Sequence, residues 1–431
     1  MKKSVLWRSR PASDCATLAI VGVLSVAVVG CEQAGDLVDG VSETVSEQVD
    51  SVSESVSESV NETMGDTASD ETAATTTDTA SVDSGQPAAV DPQTLLNELN
   101  ALAPHQITDT MLARVAAVPE AAAQVTDLTL DGAKIDGAAI ASVASFPNLE
   151  SLSLSRVPVP AAGFAPLSQL PALASLNLSQ TAADNSVVAT LASSASLKAL
   201  DLGQTQVQAG VGPILAATQI EDLSLAKTGA TDADVTALVG SKVRSLDLTQ
   251  APVTNAGVVA LGKHKALEKL SVMSTVVRGD AFQAFKGSGL KSLNVAGTRF
   301  GLPGLVAIKG LKQLEELYLH GAGVVQHVQA NVFRSFPKLK VLDLSNNQLS
   351  DQGIQVFLAG HKSVQHLNLN DNKAVSDNSL GILVRNRSLT HVEVNNTSCT
   401  LAGVQLFNEK RPECVINGAS VRLGPTAEAA P

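Results

Sequence analysis

Leu197-Lys198-Ala199-Leu200-Asp201-Leu202-Gly203-Gln204-Thr205-Gln206-Val207 is the stretch that decides the fold of this chain. Leu200 and Leu202 flank Asp201 at the two-residue period of an extended strand, whose alternate side chains point to opposite faces. The leucines therefore turn inward, while Ala199, Asp201 and Gly203 face out. A strand this short is unstable alone and needs copies of itself on either side.

The copies are present. Segments of the same form begin at Val125, Leu149, Leu173, Leu197, Ile220, Val243, Leu267, Leu290, Leu314, Leu339, Val364 and Leu389, at steps of 23 to 25 residues. A fixed period in the twenties carrying L-x-x-L-x-L resembles the leucine-rich repeat, and the resemblance covers twelve repeats from Val125 to Pro412. Ala251 to Val258 is similar to the Thr-x-Val-Thr-Asn-Ala-Gly-Val form of bacterial envelope and ribonuclease-inhibitor-like repeats.

The expected fold class is an α/β solenoid with one strand per repeat. Strands stack about 4.8 Å apart and helices about 10 Å apart, so strands on one side and helices on the other force an arc. A parallel sheet then lines the concave face, and short helices cover the convex one. Helix-start residues follow the strands at Asp136, Thr231, Thr254 and Ser350, where a side-chain oxygen can cap free N–H groups.

At the ninth position of the repeat stand Thr181, Thr205, Thr228, Thr275, Thr298 and Thr397, and Asn347 and Asn372 in two late copies. Many leucine-rich repeats carry Asn or Cys there. A side chain where the chain leaves the strand is expected to bond loop backbone that is otherwise buried unpaired.

A solenoid needs shields for its end layers. Residues 93–124, with helices expected over Thr94–Leu102 and Thr110–Ala117, suit the first cap, and 413–431 form the second cap and a loose tail beyond Leu423. Cys399 occupies a core position, and Cys414 precedes the strand-like Val415-Ile416. The two form a capping disulfide or remain buried thiols.

Function in this architecture is expected on the concave sheet, at the third, fifth and seventh positions. Early repeats present small groups there, such as Ser151, Ser153, Ser175 and Ser224, which make poor binding hot spots. Late repeats present Tyr318, His320, Asp343, His366, Asn368, Asn370, His391 and Glu393, including the only Tyr of the chain. An amphipathic ring among amides, carboxylates and imidazoles suits a protein or cell-envelope ligand.

His366 and His391 match on adjacent strands near Glu393 and Asp343, the only arrangement that points to a cryptic enzyme or metal site. The sequence assigns no metal, cofactor or catalytic residue. It contains no H-E-x-x-H, phosphate-cradling glycine loop or G-x-S-x-G elbow. A non-catalytic binding module is the leading expectation.

Outward from the repeats, the chain begins with Lys2, Lys3, Arg8 and Arg10, followed by an apolar run from Ala16 to Val29, the layout of a secretory signal over residues 1–30. Val28-Val29-Gly30-Cys31 resembles the lipobox of bacterial lipoproteins, although Leu is commoner where Val28 stands. The resemblance implies diacylglycerol on Cys31 and anchoring in the cell envelope. Glu32, where Asp retains some bacterial lipoproteins at the inner membrane, permits sorting to an outer membrane.

Residues 31–92 form an acidic segment, with fifteen Asp or Glu and no Lys or Arg from Glu32 to Pro92. Its apolar residues Val38, Val41, Val45, Val49, Val52, Val56, Val60 and Met64 recur near a helical period, so it is either a flexible linker or a helical stalk that oligomerises as an envelope spacer. The formal charge of −12 resides mostly here. The repeats are nearly neutral, which gives no expectation of a nucleic-acid partner. Oligomeric state is left open.

Overall fold

The computed structural model describes residues 91–324, 332–358 and 361–424. The basic and apolar start, Cys31, the acidic segment with its valine stripe, and the tail at 425–431 lie outside the described residues.

Among the described residues fourteen strands form one sheet in sequence order. The first twelve, from Asp127–Thr129 to His391–Val394, fall on the third to fifth positions of the twelve repeats, the last reaching the sixth, and each pairs in parallel with the next. The structure is thus the leucine-rich-repeat solenoid expected. Its core is the stack of inward positions: Leu197, Leu200 and Leu202 are buried, as are their counterparts in every repeat. All nine phenylalanines are buried too, several in edge-to-face contact, such as Phe282 with Phe300 and Phe333 with Phe357.

The convex units are short helices, some of them 3-10 turns, as over Ala161–Gln169, where Pro160 precedes the element and Pro166 interrupts it. Asp136 and Thr254 cap their helices as the sequence indicates. Thr231 and Asp234 form a capping box. A further device was not legible: the first-turn carboxylate of one helix also holds the cap residue of the next. Asp232 accepts from the N–H and hydroxyl of Thr254, Asp351 from those of Ser376, and Asp377 from those of Thr400. Carboxylates at helix N-termini also meet the positive end of the dipole.

Every repeat leaves its strand through a left-handed residue at position eight. Glycine stands there at Gly132, Gly297 and Gly321, but the other nine are residues such as Arg156, Gln204, Lys227 and Asn346, with φ of 53–62° in these four. The turn aims the backbone N–H across to the next coil, as from Gln204 to the carbonyl of Ala226 at 2.8 Å. That bond offsets the steric cost of positive φ for an L-residue.

At the N-terminal end, helices Pro92–Ala101 and Asp109–Ala116 cover the first coil with Leu95, Leu99, Leu112 and Val115. They begin earlier than Thr94 and Thr110 because Asp91 and Thr108 are the capping residues and Pro92 suits the first helical turn. At the other end, Val415–Gly418 adds a parallel strand and Val421–Leu423 an antiparallel one. Arg411, fully buried between them and the last repeat, donates to the carbonyls of Asn386 at 2.7 Å and Leu389 at 2.8 Å. Sequence reading missed it, because an arginine beside a proline looks like surface.

Candidate functional site

Strand register assembles the late concave face into rows. The fifth positions run Asn294, Tyr318, Asp343, Asn368, Glu393 and Asn417, each beside the next. The third positions run Ser292, Glu316, Val341, His366, His391 and Val415. Six of the eight residues proposed from sequence therefore lie on one continuous stretch of sheet, and His320 and Asn370 follow in the turns that leave it, but they are not equivalent.

Asp343 is buried. Its Oδ1 accepts from the N–H of Ser345 at 2.8 Å and from the Ser345 hydroxyl at 2.6 Å. Since Ser345 gives its only hydroxyl proton to Asp343, His320 must donate through Nδ1 to Ser345 Oγ, 2.7 Å away, which fixes the tautomer. Asn368 Oδ1 likewise accepts from the N–H of Asn370, and Asn370 Oδ1 from the N–H of Asn395. The bond from position five to the N–H of position seven recurs in Asn177, Asp201, Asp247 and Asn294. For Asp343 and Asn368 it is a folding device first, closing the strand exit.

Glu393 is held at both oxygens, by Asn395 Nδ2 at 3.2 Å and Asn417 Nδ2 at 2.6 Å. Asn417 belongs to the cap strand and was not singled out from sequence.

Tyr318 differs from these. Half-buried against the sheet, it is the one aromatic ring of Phe, Tyr or Trp among the described residues that the core does not enclose. Burial, with Glu316 and Asp343 nearby, pushes its hydroxyl up to about 12, so it stays a neutral donor.

His366 and His391 are neighbours as the register requires. Their rings stack 4.4 Å apart and 11° from parallel, with Val341 and Val415 on either side in the same row. Burial lowers both imidazole pKa values, and for His391 the charge of His366 and of Arg422 adds to the effect. A stack presents ring faces where a shared metal needs converging nitrogen lone pairs. Among the described residues no group of three or more His, Cys, Asp or Glu is placed to hold a metal ion.

Cys399 and Cys414 are both buried free thiols, so the structure takes the second of the two alternatives. Burial raises each to about 11, which keeps them protonated and weakly reactive.

The leucine rich repeat family model matches residues 312–373, the stretch that contains Asn347 and Asn372. No curated protein matches the chain. Among solved structures, an internalin of Listeria monocytogenes is similar at 17% identity and a TM-score of 0.51, covering 76% of this chain and 97% of its own. A leucine-rich-repeat protein of Leptospira interrogans gives 16% identity and 0.45, over 71% and 98%. The leucine-rich-repeat ectodomain of a plant membrane receptor kinase from Arabidopsis thaliana, solved in complex with Casparian strip integrity factor 2, gives 18% and 0.42. It covers 68% of this chain, which spans 38% of that one. At these identities the likeness is one of fold.

Proposed function

We propose that this leucine-rich-repeat protein is a non-catalytic binding module, lipid-anchored to a bacterial cell envelope through Cys31, whose last four repeats engage a protein or cell-envelope ligand. The observation that carries the reading is Tyr318. In a chain that buries every phenylalanine, its single tyrosine lies on the sheet surface, beside a row made of Val341, the His366–His391 stack and Val415. Flat rings and small apolar groups with a polar margin supply contact area at low entropic cost. Repeats two to six offer mainly hydroxyls and Asx side chains, already bonded to neighbours in several cases, as Ser179 is to Ser155 and Asn177 to Ser153.

The test is capture of envelope components by the full chain and by Tyr318→Ala combined with His366→Ala. Interface hot spots of this kind are worth about 2 kcal/mol or more, so the double variant should lose most of any specific partner. Equal capture by both removes the concave patch from consideration. In the same cells, Cys31→Ala should move the protein from the membrane to the soluble fraction, and unchanged partitioning counts against the anchor.

A further inference from the structure

The near neutrality of the repeats conceals a segregation of charge. The seven segments that lead from a helix to the next strand between Ala237 and His391 carry twelve Lys or Arg and only two Glu. Both glutamates are already engaged: Glu268 by Arg244 and Lys291, and Glu315 by Lys340 at 2.7 Å. In a parallel solenoid all such segments fall on one edge. The surplus therefore forms a basic flank beside the concave sheet, in the C-terminal two-thirds of the repeats.

Two open clefts lie on this flank. One, of about 380 Å³, is lined among others by Lys338, Lys340, Lys362, Ser363, Gln365 and Ser388. The other, of about 610 Å³, has Lys242, Arg244, Lys265, Lys291 and Gln313 in its wall together with Glu221 and Glu268, both beside Arg244, and Gln313 Oε1 accepts from Lys338 Nζ at 2.6 Å. The hydroxyl oxygens of Ser363 and Ser388 have no hydrogen-bond partner, although most buried polar atoms in folded proteins have one. A turn of χ1 between staggered rotamers re-aims such a hydroxyl.

The occupant is constrained by chemistry. Cations recurring coil after coil, with strands about 4.8 Å apart, suit an extended anion better than a compact one. None of the residues lining either cleft is aromatic, so there is no platform for stacking nucleobases. The exposed large hydrophobics, such as Val259, Leu302 and Leu406, line neither cleft, so the flank lacks the apolar contacts by which proteins enter a lipid surface. Cations interleaved with serine hydroxyls and glutamine amides match a ligand that carries acidic groups and many hydroxyls.

We propose that this flank binds a linear acidic glycan, its carboxylate, sulfate or phosphate groups paired with lysines of the two clefts and its hydroxyls with Ser363, Ser388, Gln365 and Gln313. The site is separate from the concave patch, and a second ligand is bound there.

The test uses the full chain with a sized oligogalacturonate and a heparin oligosaccharide as probes, neutral dextran as control, and calorimetry as readout. The acidic glycans should bind at low salt, weaken as salt screens the pairs, and lose about tenfold in affinity with Lys338→Glu plus Lys362→Glu. Dextran should not bind, and Tyr318→Ala should leave glycan binding unchanged. Lys338→Gln plus Lys362→Gln reads the same direction if the reversal variant fails to fold. Failure of both acidic glycans to bind, equal binding by the lysine variants, or tighter binding of a single-stranded oligonucleotide or of phosphatidylglycerol vesicles overturns the proposal.

Discussion

The early and late coils of this solenoid share one backbone but are tied together differently. In repeats three, four, five, seven and eight the ninth residue is a threonine whose hydroxyl donates to the carbonyl three residues back in its own turn, as Thr205 does to Leu202 at 2.6 Å. In repeats ten and eleven it is an asparagine that crosses coils. Asn372 donates to Leu344 of the previous repeat and to Leu369 of its own, while its Oδ1 accepts from the N–H groups of Asn347 and Leu349. The opposite flank repeats the contrast. Phe146 and Leu170 fill, in the first and second repeats, the place from which His361 and Asn386 of the tenth and eleventh reach the carbonyls of Phe333 and Leu358 one coil back. A hydroxyl closes a loop, whereas an amide with two donors and an acceptor joins loops. Repeats nine to eleven, which carry Tyr318 and His366, are thus laced by directional bonds on both flanks, whereas Thr397 in the twelfth keeps the hydroxyl form and donates to Val394 in its own turn.

Arg411 is where that lacing ends, and removing it should have the largest effect. Arg411→Ala leaves the carbonyls of Asn386 and Leu389 unpaired in a dry setting and opens a void the size of a guanidinium. Each unpaired group costs about 1–3 kcal/mol, so the loss should reach about 3 kcal/mol by urea unfolding. Because each coil contacts only its neighbours, hydrogen exchange should show protection lost first in repeats eleven and twelve. Uniform loss along the chain would break the idea of local lacing. Arg411→Lys should recover only part of it, since a single ammonium cannot span carbonyls that the planar fork reaches together.

The second prediction sharpens the contrast between hydroxyl and amide. Asn372→Thr keeps a donor for Leu369 but removes the acceptor for two buried N–H groups of the preceding coil, a loss of about 2 kcal/mol. Thr205→Val, in the early coils, removes one bond within one turn and should cost about 1 kcal/mol. If the two losses proved equal, the inter-coil bonds of Asn372 would carry no special weight.

What the sequence made legible follows from these same forces. Inward leucines recur because every coil must bury the same layer, so one strand per repeat could be placed around them, although its ends could not: Leu202 lies just beyond its strand, Ala199–Asp201, while Val394 lies within His391–Val394. Caps such as Asp136 and Thr254 were visible because a short polar side chain before an apolar run has few other uses. The left-handed position eight was hidden, since Arg156, Gln204 and Lys227 are tolerated there by a backbone bond that no side chain announces. Asp343 and Asn368 looked like ligand groups because an outward Asx on a strand reads the same whether its oxygen faces solvent or its own loop. The basic flank was hidden by summation: a domain with equal numbers of acids and bases reveals nothing of where each lies.

The smallest of the three effects tests the lacing through pH. Ser363 donates its N–H to His361 Nδ1 at 3.4 Å, so Nε2 carries the ring proton and donates to the carbonyl of Phe333 at 3.0 Å. Burial, together with Arg334, lowers the His361 pKa in the folded chain below its ordinary value of 6.5, although the Phe333 carbonyl acts the other way. The unfolded chain therefore takes up more protons as pH falls through 6.5. The His361 contribution to stability is present at higher pH and is lost progressively below that point, until the folded pKa is also passed. One coil later Asn386 holds the equivalent carbonyl, that of Leu358, with a group that does not titrate. His361→Asn imports this arrangement, keeping a donor for Phe333 while removing the proton-linked term. The fall in urea midpoint between about pH 7.5 and about pH 5.5 should be shallower in the variant than in the parent, with the remaining slope carried by groups such as His366 and His391. An unchanged slope would mean that the late flank is held by packing alone, as the early one is at Phe146 and Leu170.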